Sequence, residues 1–263
     1  MEPCEGIVVP KKLFVAWQDP ASRRWFPVGL LTQQNDGFCF RYIQGVLEAK
    51  NLSNFQGLQS FPDLQRAYYS GALFPVFQNR VLSVGRPEYN DFVRWLNLPE
   101  DTLDPVAILA RTGGKKETDT LEVFPCPEPT DGDNFSIQFF GHGIRHINGA
   151  PEKVRELQSG EELLIVHEST NKFDSLALRL DRDTQAIAYC PRYLNPDIHK
   201  LRKLEDVRAT VERVNQEPVP IQFRLLCRIE ARWPQGFEPF DYPEYKPIVE
   251  EPITKSTSFA ATR

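Results

Sequence analysis

Apolar residues in the first 124 positions come in short runs cut by turn chemistry, a rhythm that predicts strands first and helices second. Leu13-Phe14-Val15-Ala16-Trp17 stops at Asp19-Pro20. Trp25–Leu31 leads into Asn35-Asp36-Gly37, a tight-turn signal that returns the chain through Phe38–Tyr42 as a hairpin. Helical spacing is expected at about Leu64–Tyr69 and again over Tyr89–Leu96, where Phe92, Trp95 and Leu96 share a face. Asp104–Ala110 is a marked short helix, with Asp104 as cap, Pro105 at the first helical position and Gly113-Gly114 after the last turn. Residues 125–134, with three prolines and three acidic residues beside a glycine, predict a linker.

Beyond the linker the runs shorten and recur. Strands are expected at 136–147, 161–168, 175–180, 185–190, 207–214 and 219–229, which indicates a small barrel or tightly curled sheet. One helix, near 193–204, carries Leu194, Ile198, Leu201 and Leu204 as an apolar stripe. The organisation is therefore a first module at 12–124, a linker at 125–134, a second domain at 135–232 and an extension at 233–263. That extension is expected to be partly disordered and to pack through Trp233, Phe237, Phe240 and Tyr242.

Charge changes the picture by its distribution. The net charge is −5; residues 1–135 carry 13 basic and 17 acidic side chains, and residues 136–230 carry 14 of each. Neither half has the basic surplus with which duplex binders displace counterions, so any nucleic-acid contact is expected to be local and geometric. Five widely spaced cysteines without a Cys-x-x-Cys pair suit reduced thiols in a cytoplasmic protein. The acidic start Met1-Glu2-Pro3-Cys4-Glu5 predicts no secretory leader, and no apolar run reaches the 18 residues of a membrane helix. No membrane partner is expected.

Candidate chemistry concentrates between Gly143 and Leu204. Arg145 can present a forked guanidinium to phosphate, with His146 beside it. Asn171-Lys172-Phe173-Asp174 places a ring for base stacking next to a carboxylate that can accept from a ligand hydroxyl. The same Asn and Asp also suit an Asx-stabilised loop before a strand. His167 precedes that loop, and Tyr189-x-Pro191-Arg192 follows the next strand pair. His142 and His146, evenly spaced on one strand face, are weighed as metal ligands, but third ligands are distant in sequence, so no metal or other cofactor is expected. Gly113-Gly114-Lys115-Lys116 lacks the spacing of a phosphate loop. The chain has no nucleophile elbow or kinase catalytic set. Glu161-Glu162 and Asp181-x-Asp183 are better explained as a strand start and a hairpin tip than as nuclease carboxylates. No catalytic residue is assigned, and the protein is expected not to be an enzyme.

Three of these pieces, in order, resemble the HIRAN domain: Gly143-Ile144-Arg145, Asn171-x-x-Asp174-x-x-Ala177-Leu178, and Ala188-Tyr189-x-Pro191-Arg192. The resemblance covers residues 137–229, roughly a third of the chain. It implies an OB/SH3-like barrel that captures the 3′ end of single-stranded DNA. Asp174 would take the 3′-hydroxyl, Phe173 would stack, Arg145 would hold backbone or base groups, and Tyr189 would line the pocket. The sequence departs from the DNA-end binders at His146, where they have Tyr, and at His167, which replaces a frequent Arg.

The first module loosely resembles the N-terminal subdomain of HipA-type toxin kinases. The resemblance rests on Phe26-Pro27-Val28-Gly29-Leu30-Leu31, Phe74-Pro75-Val76-Phe77 and Leu109-Ala110-Arg111-Thr112-Gly113-Gly114, and it implies a module that docks a protein partner. The expected fold class is thus α+β: a mixed α/β module, HipA-N-like, followed by a small β-barrel with one helix. The expected function is a DNA-binding accessory protein that recognises single-stranded DNA ends or unwound DNA. The alternative is a protein-interaction or regulatory subunit, as in a toxin–antitoxin or anti-phage system, that binds no nucleic acid.

Overall fold

A computed structural model describes residues 10–249. Cys4 and the extension beyond residue 249, for which partial disorder is expected, lie outside the described residues. The architecture is α+β, with two antiparallel sheets and short helices.

The first sheet has the order β4-β3-β2-β1-β5, from β1 (Lys12–Gln18), β2 (Trp25–Gln34), β3 (Gly37–Tyr42), β4 (Tyr68–Ser70) and β5 (Leu121–Pro125). The apolar run of β1 is unbroken because both of its faces are covered. Leu13 and Val15 enter one core with Phe40, Phe61 and Phe77, while Phe14 and Ala16 enter another with residues of the second sheet. Helix α1 (Gly45–Ser53), α2 (Pro75–Gln78), α3 (Tyr89–Trp95) and α4 (Pro105–Thr112) complete this unit. At α4, Asp104 Oδ1 accepts from the Val106 amide at 2.8 Å and Gly113 closes the helix at φ +72°.

One expectation fails here. The stretch 64–69 is not helical: Tyr68–Ser70 pairs with β3 instead, and tertiary pairing overrides the apolar spacing. In α3 the buried face is Tyr89 and Val93, continued by Leu96, whereas Phe92 and Trp95 stay half-buried.

The second sheet has the order β6-β11-β10-β7-β8-β9, from β6 (Asn134–Phe140), β7 (Glu162–His167), β8 (Leu178–Arg182), β9 (Gln185–Tyr189), β10 (Arg208–Val214) and β11 (Leu225–Arg232). It is strongly curled but is not a closed barrel. Its two ends meet at a single pair beyond β6, where His142 and Tyr189 exchange backbone hydrogen bonds of 2.9 Å. Two helices accompany it rather than one: α5 (Ala150–Glu156) and α6 (Asn195–Leu201). The first expected strand also ends early. Gly143 at φ +75° turns the chain into a 3₁₀ turn over Ile144–His146, so Arg145 and His146 sit on that turn and not on a strand. The last expected strand starts late, because Ile221–Phe223 forms another 3₁₀ turn.

The units are joined through side chains. Phe14 and Phe124 of the first sheet share a core with Leu180 and Ile187 of the second and with Ile198 of α6. The segment after β11 returns over this junction: Trp233 packs near Phe135 and Phe237, and the Phe240 ring lies 5.0 Å from Phe14. Ile248 then donates to the Tyr42 carbonyl at 3.0 Å.

Candidate nucleic-acid interface

The loop from β7 to β8 is built around Asn171. Its Oδ1 accepts from the amides of Phe173 (3.0 Å) and Asp174 (3.2 Å), which is the Asx-type turn expected from the residue types. Its Nδ2 donates to Glu168 Oε2 at 2.6 Å. Glu168 also accepts from the Tyr189 hydroxyl at 3.0 Å and from Arg179 at 3.3 Å, and Arg179 forks onto Asp181 at 2.7 and 2.8 Å. These donors, Asn171 foremost, hold the Glu168 carboxyl below its ordinary pKa.

Asp174 is presented by the same loop. Its Oδ1 accepts from the Leu176 amide at 2.9 Å and its Oδ2 from Asn195 Nδ2 at 2.8 Å. Arg192 Nε stands 3.7 Å from Oδ2, and the Asp174 side chain is 17% exposed. An ionised carboxylate has about four acceptor sites, so capacity remains for a further donor. Asn195 is only 2% exposed, which fixes the amide that orients the carboxylate.

Phe173 is the most exposed of the large apolar residues in the described chain, at 84%. Its backbone is not loose, because Arg192 Nη2 donates to its carbonyl at 2.7 Å. A held main chain with an uncovered ring gives a stacking surface at low entropic cost. His167 Nε2 lies 2.9 Å from the Ser175 carbonyl and His199 Nε2 lies 3.1 Å from that of Leu176, with the two rings edge-on at 4.5 Å. Burial lowers the His199 pKa. Both imidazoles thus brace the far side of the loop.

Asn171, Phe173, Asp174, Tyr189 and Arg192 are therefore tied into one hydrogen-bonded group, and His167 borders it. Arg145 and His146 belong to a different surface. They are exposed on the 3₁₀ turn and line a cleft between the two units. Tyr189 connects the surfaces: its hydroxyl reaches Glu168, while its ring lies where a Cβ on Gly143 would come within 3.0 Å. His142, expected to share a strand face with His146, instead packs at the sheet seam, where burial pushes its pKa down to about 3. Among the described residues, no group of three or more His, Cys, Asp or Glu side chains is arranged to hold a metal ion.

Sequence reasoning missed Glu168, Arg179, Asn195 and His199. Arg179 on β8 and Asn195 at the start of α6 look ordinary in sequence, because their roles arise only when the loop closes over them.

The family model of the HIRAN domain matches residues 134–233. Two solved structures are similar over part of the chain. A protein from Lactobacillus plantarum is 17% identical, with a TM-score of 0.30, covering 37% of this chain and 96% of that one. The HIRAN domain of human HLTF is 12% identical, with a TM-score of 0.28, covering 39% of this chain and 79% of that one. No curated protein matches the chain. The family match begins with β6 and ends one residue past β11, so the six-stranded sheet that carries the Asn171 loop is a HIRAN domain.

Proposed function

We propose that the protein is a non-catalytic DNA-binding accessory protein whose HIRAN domain receives the 3′ end of a single strand. One observation carries this reading. An exposed aromatic ring, Phe173, is held beside a carboxylate, Asp174, that is oriented by a buried amide and still has acceptor capacity. The terminal base stacks on Phe173, and the 3′-hydroxyl donates to Asp174. Arg192 and Arg145 approach the last phosphates from either side of Tyr189.

In this reading the first unit also docks a protein partner. Leu47 and Leu52 of α1 and Tyr69 of the edge strand β4 leave apolar surface exposed there, which supports that role. A second reading, a purely protein-binding HIRAN surface, draws on Leu176, which is 40% exposed in the same loop as Phe173.

Titration of labelled single strands bearing a free 3′-hydroxyl, a 3′-phosphate, or only a free 5′ end separates the two. A marked preference for the free 3′-hydroxyl is expected. Equal, weak binding by all three leaves the protein-binding surface.

A further inference from the structure

The cleft beside Arg145 is not needed to hold a strand terminus. Its volume is about 1620 Å³, beyond the roughly 300–1,000 Å³ typical of a small-molecule site. Its walls come from both units, and its charge runs against that of the whole chain. Arg23, Arg86 and Lys115 of the first unit and Arg145 of the second face solvent along it, against the carboxylates of Glu88 and Glu122. Two other lining cations are structural. Arg80 is buried in an ion pair with Asp119, and Arg111 donates to the Leu96 carbonyl at 2.9 Å.

Two of the solvent-facing cations have carboxylate partners. Arg86 meets Glu88 at 3.3 Å with both side chains more than half exposed, and Lys115, half exposed, meets Glu122 at 3.0 Å. The exposed Arg86–Glu88 pair contributes little, while Lys115 stays half exposed beside the buried Glu122 carboxylate. Half-buried rings line the same cleft: Trp25 from β2, Phe92 and Trp95 from α3, and Phe223. The Phe92 ring meets Trp95 at 6.3 Å and Phe223 at 5.9 Å, both edge-on, and all three rings stay half-buried at the cleft. Cations and aromatic rings gathered in one cleft suit unstacked bases on a charged backbone, the chemistry of a single strand and not of a duplex.

We propose that this cleft is a track for the phosphate backbone of a single strand, contributed largely by the first unit and entered from Arg145 and His146. The strand's polarity in the track rests on the end-capture reading; the track itself does not. Nucleotides upstream of the terminus meet Arg145, Lys115, Arg86 and Arg23, with bases directed at Trp25, Phe92 and Trp95.

The test compares 3′-hydroxyl oligothymidylates of about three and about twelve nucleotides, lengths below and within the usual single-strand site size, by fluorescence anisotropy over a salt series. The full chain is expected to bind the longer strand at least about tenfold tighter at low salt. The triple variant Arg23→Glu, Arg86→Glu, Lys115→Glu should close that gap and reduce the salt slope by about two, near 0.7 per lost phosphate contact. The milder glutamine triple variant, with an unchanged thermal melt, should narrow the gap. Three reversals outside the cleft, at Lys50, Arg66 and Arg208, should leave the gap in place. Equal affinity for the two lengths in the wild type, or equal loss from the outside reversals, overturns the track. Loss of the 3′-hydroxyl preference while the length gap persists overturns end capture alone.

Discussion

Tyr189 and His142 face each other across the only seam where the curled HIRAN sheet meets itself among the described residues, through two backbone hydrogen bonds of 2.9 Å. The pair fixes Tyr189 between the Asn171 loop, reached by its hydroxyl, and the Arg145 turn, touched by its ring. Geometry at this seam therefore sets the relation between the two surfaces.

Gly143→Ala tests that relation. The alanine Cβ would lie 3.0 Å from Tyr189 Cδ2 at a φ of +75°, while at Gly149, with φ +72°, it would meet only the mobile end of Lys153 at 3.7 Å. Both substitutions carry the left-handed backbone cost of about 1–2 kcal/mol. Only Gly143→Ala should also displace the Tyr189 ring. Thermal melts should place Gly143→Ala below Gly149→Ala, and single-strand binding should weaken in the first alone.

Phe173→Ala separates stability from recognition. Because the ring is almost wholly exposed, its removal should change unfolding free energy by less than about 0.5 kcal/mol. Binding of a single strand should weaken by about 1–3 kcal/mol, the range for loss of one stacked base. A matching loss of stability would show that the ring packs in solution.

Asn171→Ala should cost stability. It strips two amides of their acceptor and Glu168 of a donor, at a cost of about 1–3 kcal/mol for the groups left partly unsatisfied. Denaturant titration should show the loss, and amide exchange over residues 172–176 should accelerate.

Stability should also depend on pH through His142. Burial first, then the nearby Lys115 charge, lowers its pKa to about 3, against about 6.5 for the free side chain. Between those values the unfolded chain binds a proton that the folded chain refuses. Stability is then full above about pH 6.5 and falls as pH drops toward 3, by on the order of 1 kcal/mol at pH 5.5. His142→Asn should flatten that slope between pH 7 and 5.5 in chemical denaturation.

Local chemistry made part of this fold legible. The hairpin over Asn35-Asp36-Gly37 and helix α4, with Asp104 before it and Gly113 behind it, are fixed within a few residues, so sequence suffices. Helix α5 escaped because its apolar face is only Ala150 and Val154, continued by Leu157, too few positions to establish a period. Tyr68–Ser70 was misread because its strand character comes from Phe38–Phe40, some thirty residues away. At the site, Asn171, Phe173 and Asp174 were readable as a loop with a ring and a carboxylate. Arg145 was misplaced because the strand reading ran through Gly143, whose positive φ ends the strand and turns the guanidinium to the cleft.

The central claim is that Asp174 and Phe173 together select a free 3′-hydroxyl. The most direct measurement is the ratio of dissociation constants for 3′-phosphate and 3′-hydroxyl forms of one short strand, taken for the wild type, Asp174→Ala, Phe173→Ala and the double variant. The account predicts a ratio well above one in the wild type, falling to about one once Asp174 is removed. Loss of Phe173 should weaken both forms. A wild-type ratio of one, or a ratio that survives Asp174→Ala, would contradict it.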